Sequence, residues 1–352
     1  MGKKYLTSDF DYNLPKSFIA NTPAKPRDTS RLLVYDTKND QIHHKYFYEI
    51  VNLLNNRDLI VRNKSKVIYA RIIFKINKHE KEIFLLKQLD RSRFKVLVKP
   101  GKTFKKGYQA AIVKGLDFLV EDVLDDGSRI IKFINKTEDS LNNVLEDIGQ
   151  IPLPPYINNK SLDFTHYQTV YAKEKGSVAA PTAGLHFTES LIKKLKDKGI
   201  KIEDIILHIG RGTFLPVSTN LIEEHKMHSE KLILDKKTAK DLNKFKKEEK
   251  KFVAVGTTTV RTLESCYDKT KGFIPSEEET DIFIYPGKYK WKVVDKLITN
   301  FHLPKSTLIM LVASFLEYKG VKDPVKKILF LYETAKKEGY RFYSLGDSMF
   351  IF

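Results

Sequence analysis

The segment from His166 to Thr188, HYQTVYAKEKGSVAAPTAGLHFT, is rich in residues that do chemistry and poor in residues that fill a core. It holds two histidines, three threonines and a Pro-Thr-Ala-Gly turn. Loops with so few aliphatic side chains lie at the surface or over a cavity, where function is usually carried. Because imidazole titrates near neutral pH, His186 is suited to proton transfer or to hydrogen bonding with a substrate.

Three more polar segments follow predicted strands, at the places where α/β proteins usually bind ligands. They begin at His208, Gly256 and Asn300. The turn Gly256–Thr258 would offer free backbone N–H groups to a carboxylate or phosphate. Capping threonines in an ordinary strand–turn–helix are common, and taken alone the pattern favours that interpretation.

The tetrapeptide Met227-His228-Ser229-Glu230 places a carboxylate beside an imidazole, which suits a base or a partner for a cation. An exposed turn explains the same residues equally well. His225 and His228 have a spacing that two metal ligands could use, but no established zinc pattern surrounds them. We therefore expect no metal site.

Composition narrows the class of protein. The 352 residues carry a formal net charge of +18, from 62 Lys+Arg against 44 Asp+Glu. Such a field favours a polyanion such as RNA, although a lysine-rich composition also follows from genome base composition. Cys266 is the only cysteine, which excludes intrachain disulfides, cysteine zinc sites and iron–sulfur clusters. There is no signal-peptide core, and the most apolar run is too short to cross a bilayer, so we expect a soluble, cytoplasmic protein.

The elements that must position these residues fall into three parts. Residues 1–65 contain a strand, a helix-like segment around Ile50 and a second strand at Asp58 to Val61. Residues 66–150 contain short β-rich runs separated by turn-forming residues, which predicts a small all-β barrel. Residues 151–352 alternate strands and helices, which predicts a partly or wholly parallel sheet. The predicted fold is therefore a discontinuous, barrel-like α/β domain with an inserted small β-barrel.

Local signals place the helices of the last part. Thr188 and Ser306 are predicted N-caps, Gly199 and Gly339 are predicted ends, and Pro324 opens the last helix. The segment YRFYSLGD, from Tyr340, interleaves Arg341 with aromatic residues. It either stacks on a base or closes the sheet as an edge strand, and we favour the edge strand.

The sequence resembles, over nearly its whole length, the S-adenosylmethionine:tRNA ribosyltransferase-isomerase family of queuosine synthesis. The shared motifs, in chain order, are FDYNLP, PAKPRDTSRLLVYD, VLVKPGK, IPLPPYI, YQTVYAKEKGSVAAPTAGLHFT, LHIGRGTFLPV, MHSE, AVGTTTVRTLES, TNFHLPKSTLIMLV and YRFYSLGD. The family usually reads NDTKVIPAR where this chain has Arg62 to Arg71, and Arg211 replaces a usual aliphatic residue. Neither change removes an obvious catalytic group.

The resemblance implies that the ribosyl part of S-adenosylmethionine is transferred and isomerised onto 7-aminomethyl-7-deazaguanine at the tRNA wobble position. The products are epoxyqueuosine, adenine and methionine, and no cofactor is needed beyond S-adenosylmethionine as a consumed substrate. A base must take a proton from the ribose carbon beside the sulfonium, and we assign proton transfer to His186, His228 and Glu230 together. An aromatic face, Phe187 or Phe214, would hold the sulfonium.

Motif position gives the remaining site predictions. Arg27, Arg31, Lys305 and Arg341 are predicted to bind tRNA. The predicted substrate-binding residues are Thr182, Gly184, His208, Gly210, Gly212, Thr213, Phe214, Gly256, Thr257, Thr258, Arg261, Asn300 and His302. Oligomeric state is left open, with a monomer favoured.

Two other interpretations compete. A non-catalytic RNA-binding protein would show RNA affinity that falls steeply with salt, and would not consume S-adenosylmethionine. The base-exchanging tRNA transglycosylase of the same pathway typically holds zinc through several cysteines, so the single Cys266 counts against it.

Overall fold

The computed structural model describes residues 4–154, 156–157, 164–210 and 217–352. The chain forms two compact units. The larger comprises Met1–Lys66, Pro154–Glu174 and Ala180–Phe352, and the smaller comprises Val67–Leu153 and Lys175–Ala179. None of the described helices is long and apolar enough to cross a bilayer.

The strands and helices are numbered along the chain. The strands are β1 (Arg31–Asp36), β2 (Gln41–Tyr46), β3 (Asp58–Asn63), β4 (Ser65–Val67), β5 (Arg71–Ile76), β6 (His79–Gln88), β7 (Arg93–Lys99), β8 (Gln109–Val113), β9 (Leu116–Val123), β10 (Arg129–Asn135), β11 (Gly149–Gln150), β12 (Glu174–Ser177), β13 (Lys201–Leu207), β14 (Glu230–Leu234), β15 (Lys251–Val255), β16 (Tyr267–Asp268), β17 (Gly272–Phe273), β18 (Ser276–Thr280), β19 (Lys296–Asn300) and β20 (Ser348–Ile351). The α-helices are α1 (Ile50–Leu53), α2 (Leu141–Ile148), α3 (Glu189–Asp197), α4 (Lys236–Lys247), α5 (Thr257–Cys266), α6 (Thr307–Tyr318) and α7 (Pro324–Lys337).

A nine-stranded mixed sheet organises the larger unit, in the order β18-β14-β13-β3-β15-β19-β20-β1-β2. The four strands β13, β3, β15 and β19 are parallel to their neighbours within this group. Their burial is nearly complete in β3 and β15, as expected for parallel strands covered on both faces. The structure thus confirms an α/β fold with a partly parallel sheet.

Helix caps follow the sequence signals. The Thr188 and Ser306 side chains accept hydrogen bonds from the backbone N–H of Leu191 and Ile309, so both N-cap predictions are confirmed. The helix-like segment near Ile50 is shorter than its pattern suggests, since α1 has only one turn after a 3-10 turn at Phe47–Glu49.

The smaller unit is a seven-stranded antiparallel sheet in the order β11-β5-β6-β7-β10-β9-β8, with α2. Its core holds an aromatic cluster in which Phe118 contacts Phe74, Phe104 and Tyr108. The predicted succession of short strands in this region is confirmed. The sequence signal was strong because each strand alternates apolar and polar residues between turn-formers.

The prediction of an edge strand at YRFYSLGD is wrong. Residues 343–346 form a turn, and the strand that follows, β20, lies inside the sheet between β19 and β1. The cause is the Asp347 carboxylate, which accepts hydrogen bonds from the backbone N–H groups of Arg31 and Arg341 and so ties the turn to β1.

Candidate active site

The carboxyl ends of the parallel strands bring distant parts of the chain to one edge of the sheet. β13 leads to His208, β15 leads to Gly256, and β19 ends at Asn300. The register places Val255 beside Arg62 and Ile298, at the same height. Parallel pairing thus gathers the predicted strand-end residues, as open α/β sheets do around a ligand.

His186 lies in a buried polar network at this edge, in a 3-10 turn spanning Thr182–His186. Its Nδ1 is 2.8 Å from the Ser30 hydroxyl, and its Nε2 is 3.0 Å from the Asn300 amide nitrogen. The same amide nitrogen donates to the Tyr343 carbonyl at 3.3 Å, while the Asn300 oxygen accepts from the Thr182 hydroxyl at 2.9 Å. The amide therefore donates to Nε2, and the ring proton lies on Nδ1 and is donated to Ser30.

This network keeps the His186 ring neutral. Burial, and secondarily the positive charges of Arg341 and Arg27, lower the pKa of His186 to about 3. Both ring nitrogens are occupied, and only 3% of the residue is exposed. In this arrangement the ring is suited to orienting Asn300 and Thr182, because it offers no free nitrogen to a substrate.

Glu230 and Arg261 form a second buried centre. Glu230 starts β14 and Arg261 lies on α5, and their side chains are 2% and 6% exposed. One carboxylate oxygen accepts from an Arg261 guanidinium N–H, and the other accepts from the Gly210 backbone N–H at 2.9 Å. Arg261 also donates to the Thr280 carbonyl at 3.0 Å. The negative charge of Glu230 is thereby compensated and held in one position.

A narrow cleft of about 30 Å³, partly open to solvent, lies beside this ion pair. It combines an apolar wall with a few convergent polar groups, as small-molecule sites do. His228 is exposed, whereas His225 is half-buried with its ring 5.6 Å from that of Phe283. Burial, and secondarily the neighbouring His228, lower the pKa of His225. The lining residues are His225, Met227, His228, Glu230, Arg261, Ile282, Phe283, Ile284, Thr307, Leu308 and Leu311.

The turn before α5 needs glycine and leaves polar groups available. Gly256 has φ +85°, which residues with a side chain rarely adopt, and a Cβ there would lie 3.4 Å from that of Ala183. The first N–H groups of α5, from Thr257 onward, have no partner within the helix. The Thr258 hydroxyl is buried with no hydrogen-bond partner within the described chain. The turn therefore presents free N–H groups and the positive end of the helix dipole, which together suit an anion.

Three other predicted site residues are buried or half-buried. A Cβ at Gly184 would overlap the Tyr171 hydroxyl, so glycine is required there for close approach. His302 is buried, with Nε2 2.8 Å from the Thr299 hydroxyl, and burial lowers its pKa to about 3. His208 is half-buried, and burial followed by the charge of Lys231 lowers its pKa.

Two aromatic candidates for the sulfonium have different outcomes. Phe187 is 1% exposed and packs edge-on against Phe47 and Tyr171, so the prediction that it offers an open face is wrong. Its neighbours in sequence, His186 and Thr188, are polar and give no sign of this burial. Phe214, together with Arg211, Gly212 and Thr213, lies outside the described residues.

The four residues predicted to bind tRNA all have partners within the chain. Three of them donate hydrogen bonds to backbone carbonyls, and the fourth forms an exposed ion pair. The contacts are Arg27 with Thr165 (2.6 Å) and Gln168 (2.5 Å), Arg31 with Glu338, Arg341 with Thr22 (3.1 Å), and Lys305 with Asp11 (2.6 Å). These contacts anchor loops, and part of the hydrogen-bonding capacity of the Arg27 and Arg31 guanidinium groups is already used within the chain.

Sequence reasoning missed part of the cleft. The sequence offers His225 both as a metal ligand and as a histidine for acid–base work, but it gives no sign that Phe283 and Thr307 line the same cleft. The signal for His225 was present, since it shares a polar segment with His228 and Glu230. Within the described ranges, no group of three or more His, Cys, Asp or Glu residues is arranged to hold a metal ion.

The chain is an α/β protein in which polar residues gather at the carboxyl ends of parallel strands, the arrangement that α/β enzymes use. The family model described as "Queuosine biosynthesis protein" matches residues 7–351. The chain belongs to this queuosine biosynthesis family.

Relatives and a solved structure agree with this assignment. The S-adenosylmethionine:tRNA ribosyltransferase-isomerase of Thermosipho africanus is 48% identical over 350 residues, which are 98% of this chain and 99% of the relative. The protein of the same name from Fusobacterium nucleatum is 46% identical over 348 residues, 98% of this chain and 96% of the relative. The crystal structure of S-adenosylmethionine tRNA ribosyltransferase from Thermotoga maritima is 36% identical, with a TM-score of 0.53, and covers 98% of this chain and 100% of that one.

Proposed function

We propose that this chain transfers and isomerises the ribosyl part of S-adenosylmethionine onto 7-aminomethyl-7-deazaguanine at the wobble position of tRNA. The products are epoxyqueuosine in the tRNA, free adenine and methionine. The observation that carries this proposal is identity of 46–48% over 98% of the chain to two proteins named for that activity. The net charge of +18 suits a tRNA substrate.

The cleft beside Glu230 is the proposed seat of the sulfonium half of S-adenosylmethionine. The methionine carboxylate would accept hydrogen bonds from the N–H groups of Thr257 and Thr258 and from the unpartnered Thr258 hydroxyl. Arg261 is less suited to that carboxylate, because Glu230 already engages its guanidinium. Glu230 holds Arg261 and Gly210 in place, and exposed His228 can give a proton to the leaving adenine.

His186 is proposed to act by position. Its neutral ring fixes the Asn300 amide, which in turn accepts from the Thr182 hydroxyl. Thr182 is the half-exposed end of this network, and it would meet the substrate. Gly184 and His302 would contribute by packing, Gly184 against Tyr171 and His302 through its hydrogen bond with Thr299.

The proposal extends to the domain organisation and to further contacts with the substrates. We propose that residues 1–65 and 151–352 form one barrel-like α/β domain and that residues 66–150 form an inserted β-barrel. His208, Gly212, Thr213 and Phe214 would contact the substrate along the segment that follows β13. Arg27, Arg31, Lys305 and Arg341 would face the tRNA, and Arg31 and Arg341 share the Asp347 carboxylate.

The test is incubation of the purified chain with S-adenosylmethionine and an anticodon stem-loop that carries 7-aminomethyl-7-deazaguanine. Mass spectrometry should find epoxyqueuosine in the RNA and an equal amount of free adenine. A matched stem-loop with guanine at the wobble position should give neither product. RNA binding with no adenine released from the first stem-loop would instead support a non-catalytic RNA-binding protein.

A further inference from the structure

The cleft contains a histidine with an unoccupied ring. His225 follows a 3-10 turn at Ile222–Glu224, and its backbone N–H donates to the Ile222 carbonyl at 3.1 Å. This bond anchors the backbone, while no hydrogen bond within the described chain engages the ring nitrogens. His186 and His302 contrast with it, because both have ring nitrogens bound to neighbouring side chains.

The surroundings of His225 favour a neutral ring with a lone pair available to a ligand. Its ring lies edge-on to Phe283, and Phe283 lies 4.7 Å from the Tyr285 ring. Among the described residues, the charged or titratable groups that line the cleft with it are His228 on its own segment, Glu230 on β14 and Arg261 on α5. From α6 and from residues 282–284 the cleft receives only uncharged side chains. Since Glu230 and Arg261 neutralise each other, neither holds His225 in its charged form.

Resting on the proposed function, we propose that His225 is the base that takes the proton from the ribose carbon attached to the sulfonium. The carbon–hydrogen bond breaks, and its electron pair stays on carbon beside the positive sulfur. The proton joins the lone pair of an imidazole nitrogen, so His225 becomes an imidazolium. No oxidant, reductant or metal takes part in this step.

The geometry explains why His225 fits this role better than its neighbours. Glu230 is locked by Arg261 and Gly210, and His186 has no free nitrogen. His228 is exposed to water, which suits proton exchange with solvent more than abstraction from carbon. A half-buried base next to an aromatic wall is shielded from water and close to where a sulfonium cation would be favoured.

The experiment compares wild type with His225→Asn, His228→Asn and a control, His43→Asn, whose exposed histidine lies on edge strand β2. Three quantities are measured: melting temperature, S-adenosylmethionine affinity by calorimetry, and the rate of adenine release with the modified stem-loop. His225→Asn should keep its melting temperature and should bind within about 3-fold of wild type. Its adenine release should fall by about 100-fold or more, the usual contribution of a general base. His43→Asn should match wild type throughout.

A readout specific to proton abstraction is exchange of the ribose hydrogen with D2O, followed by mass spectrometry of recovered S-adenosylmethionine and product RNA. His225→Asn should lose the deuterium incorporation of wild type. The inference is overturned if His225→Asn keeps adenine release within 10-fold, if it loses affinity in parallel, or if only His228→Asn abolishes exchange. A wild-type protein that releases no adenine would refute the proposed function itself, which separates the two failures.

Discussion

Arg261→Met is expected to destabilise the larger unit strongly, because it leaves a carboxylate that is 2% exposed without its cation. Removing one partner of a buried ion pair typically costs about 3–5 kcal/mol. The Gly210 N–H still donates to Glu230 in this variant, so the carboxylate keeps one hydrogen bond. At about 2 °C per kcal/mol for a unit of this size, the melting temperature should fall by about 6–10 °C.

The assay is thermal unfolding followed by circular dichroism, for Arg261→Met, Glu230→Gln and the double variant. Glu230→Gln keeps an oxygen for Gly210 but leaves Arg261 charged and uncompensated, so it should also lose several degrees. The double variant removes both charges and should recover at least half of the loss seen in Arg261→Met. Such recovery identifies the pairing itself as the source of the effect.

The control is the neighbouring pair Lys231–Glu277, with N···O 2.7 Å and side chains that are 46% and 63% exposed. Lys231→Met should shift the melting temperature by less than about 2 °C, because exposed pairs are worth about 0–1 kcal/mol. A shift below 2 °C for Arg261→Met, or a double variant no more stable than that single variant, would refute the reasoning.

Three other perturbations test the packing around the site. Acidification from pH 7 to 5 should destabilise the protein, because the pKa of His302 is about 3 when folded and about 6.5 when unfolded, so protons favour the unfolded chain. His302 should contribute about 2 kcal/mol of this loss at pH 5, and His186, with the same pKa, should add to it. His302→Gln should therefore reduce the difference in melting temperature between the two pH values, and an unchanged difference would contradict this. Gly256→Ala should lower the free energy of unfolding by about 1–3 kcal/mol and raise the KM for S-adenosylmethionine. The control is Gly320→Ala, at φ +89° with open space around it, which should leave KM unchanged. Equal KM values in both variants would count against a role for the turn. Tyr171→Phe removes a buried hydroxyl that has no hydrogen-bond partner among the described residues, so the melting temperature should stay equal or rise. Gly184→Ala should lower the melting temperature, because the added Cβ would overlap the Tyr171 hydroxyl, and combining it with Tyr171→Phe should partly restore the loss. A Gly184→Ala protein as stable as wild type would show that no close approach exists.

The sequence predicted the elements well where one physical signal dominated. Alternating residues between turn-formers identified the strands of the smaller unit, and side-chain caps at Thr188 and Ser306 placed the starts of α3 and α6. The signal failed at YRFYSLGD, because the Asp347 carboxylate binds backbone groups from a strand more than 300 residues earlier. No local pattern reports a contact of that sequence separation.

The sequence predicted where the polar strand-end residues lie better than it predicted their contacts. Parallel topology explains why His208, Gly256 and Asn300 lie at the same end of the sheet, and the sequence motifs indicate all three. The proposed role of each side chain depends on its hydrogen-bond partners. Glu230 pairs with Arg261, both ring nitrogens of His186 have partners, and the ring of His225 faces the cleft. Hydrogen-bond partners from other strands decide this, and the sequence does not show them.

The place of β20 in the sheet has a consequence for the order in which the protein can be assembled. β1 is among the first strands to be synthesised, yet β20, made more than 300 residues later, is the strand that joins it to β19. The hairpins of the smaller unit involve neighbours in sequence and can form as soon as they emerge from the ribosome. β1 and β2 can pair with each other early, but the other edge of β1 stays unpaired until residues 348–351 have been synthesised. During that interval the early hairpin is an open template for other strands, so chaperones that mask strand edges would protect this chain most before its synthesis is complete.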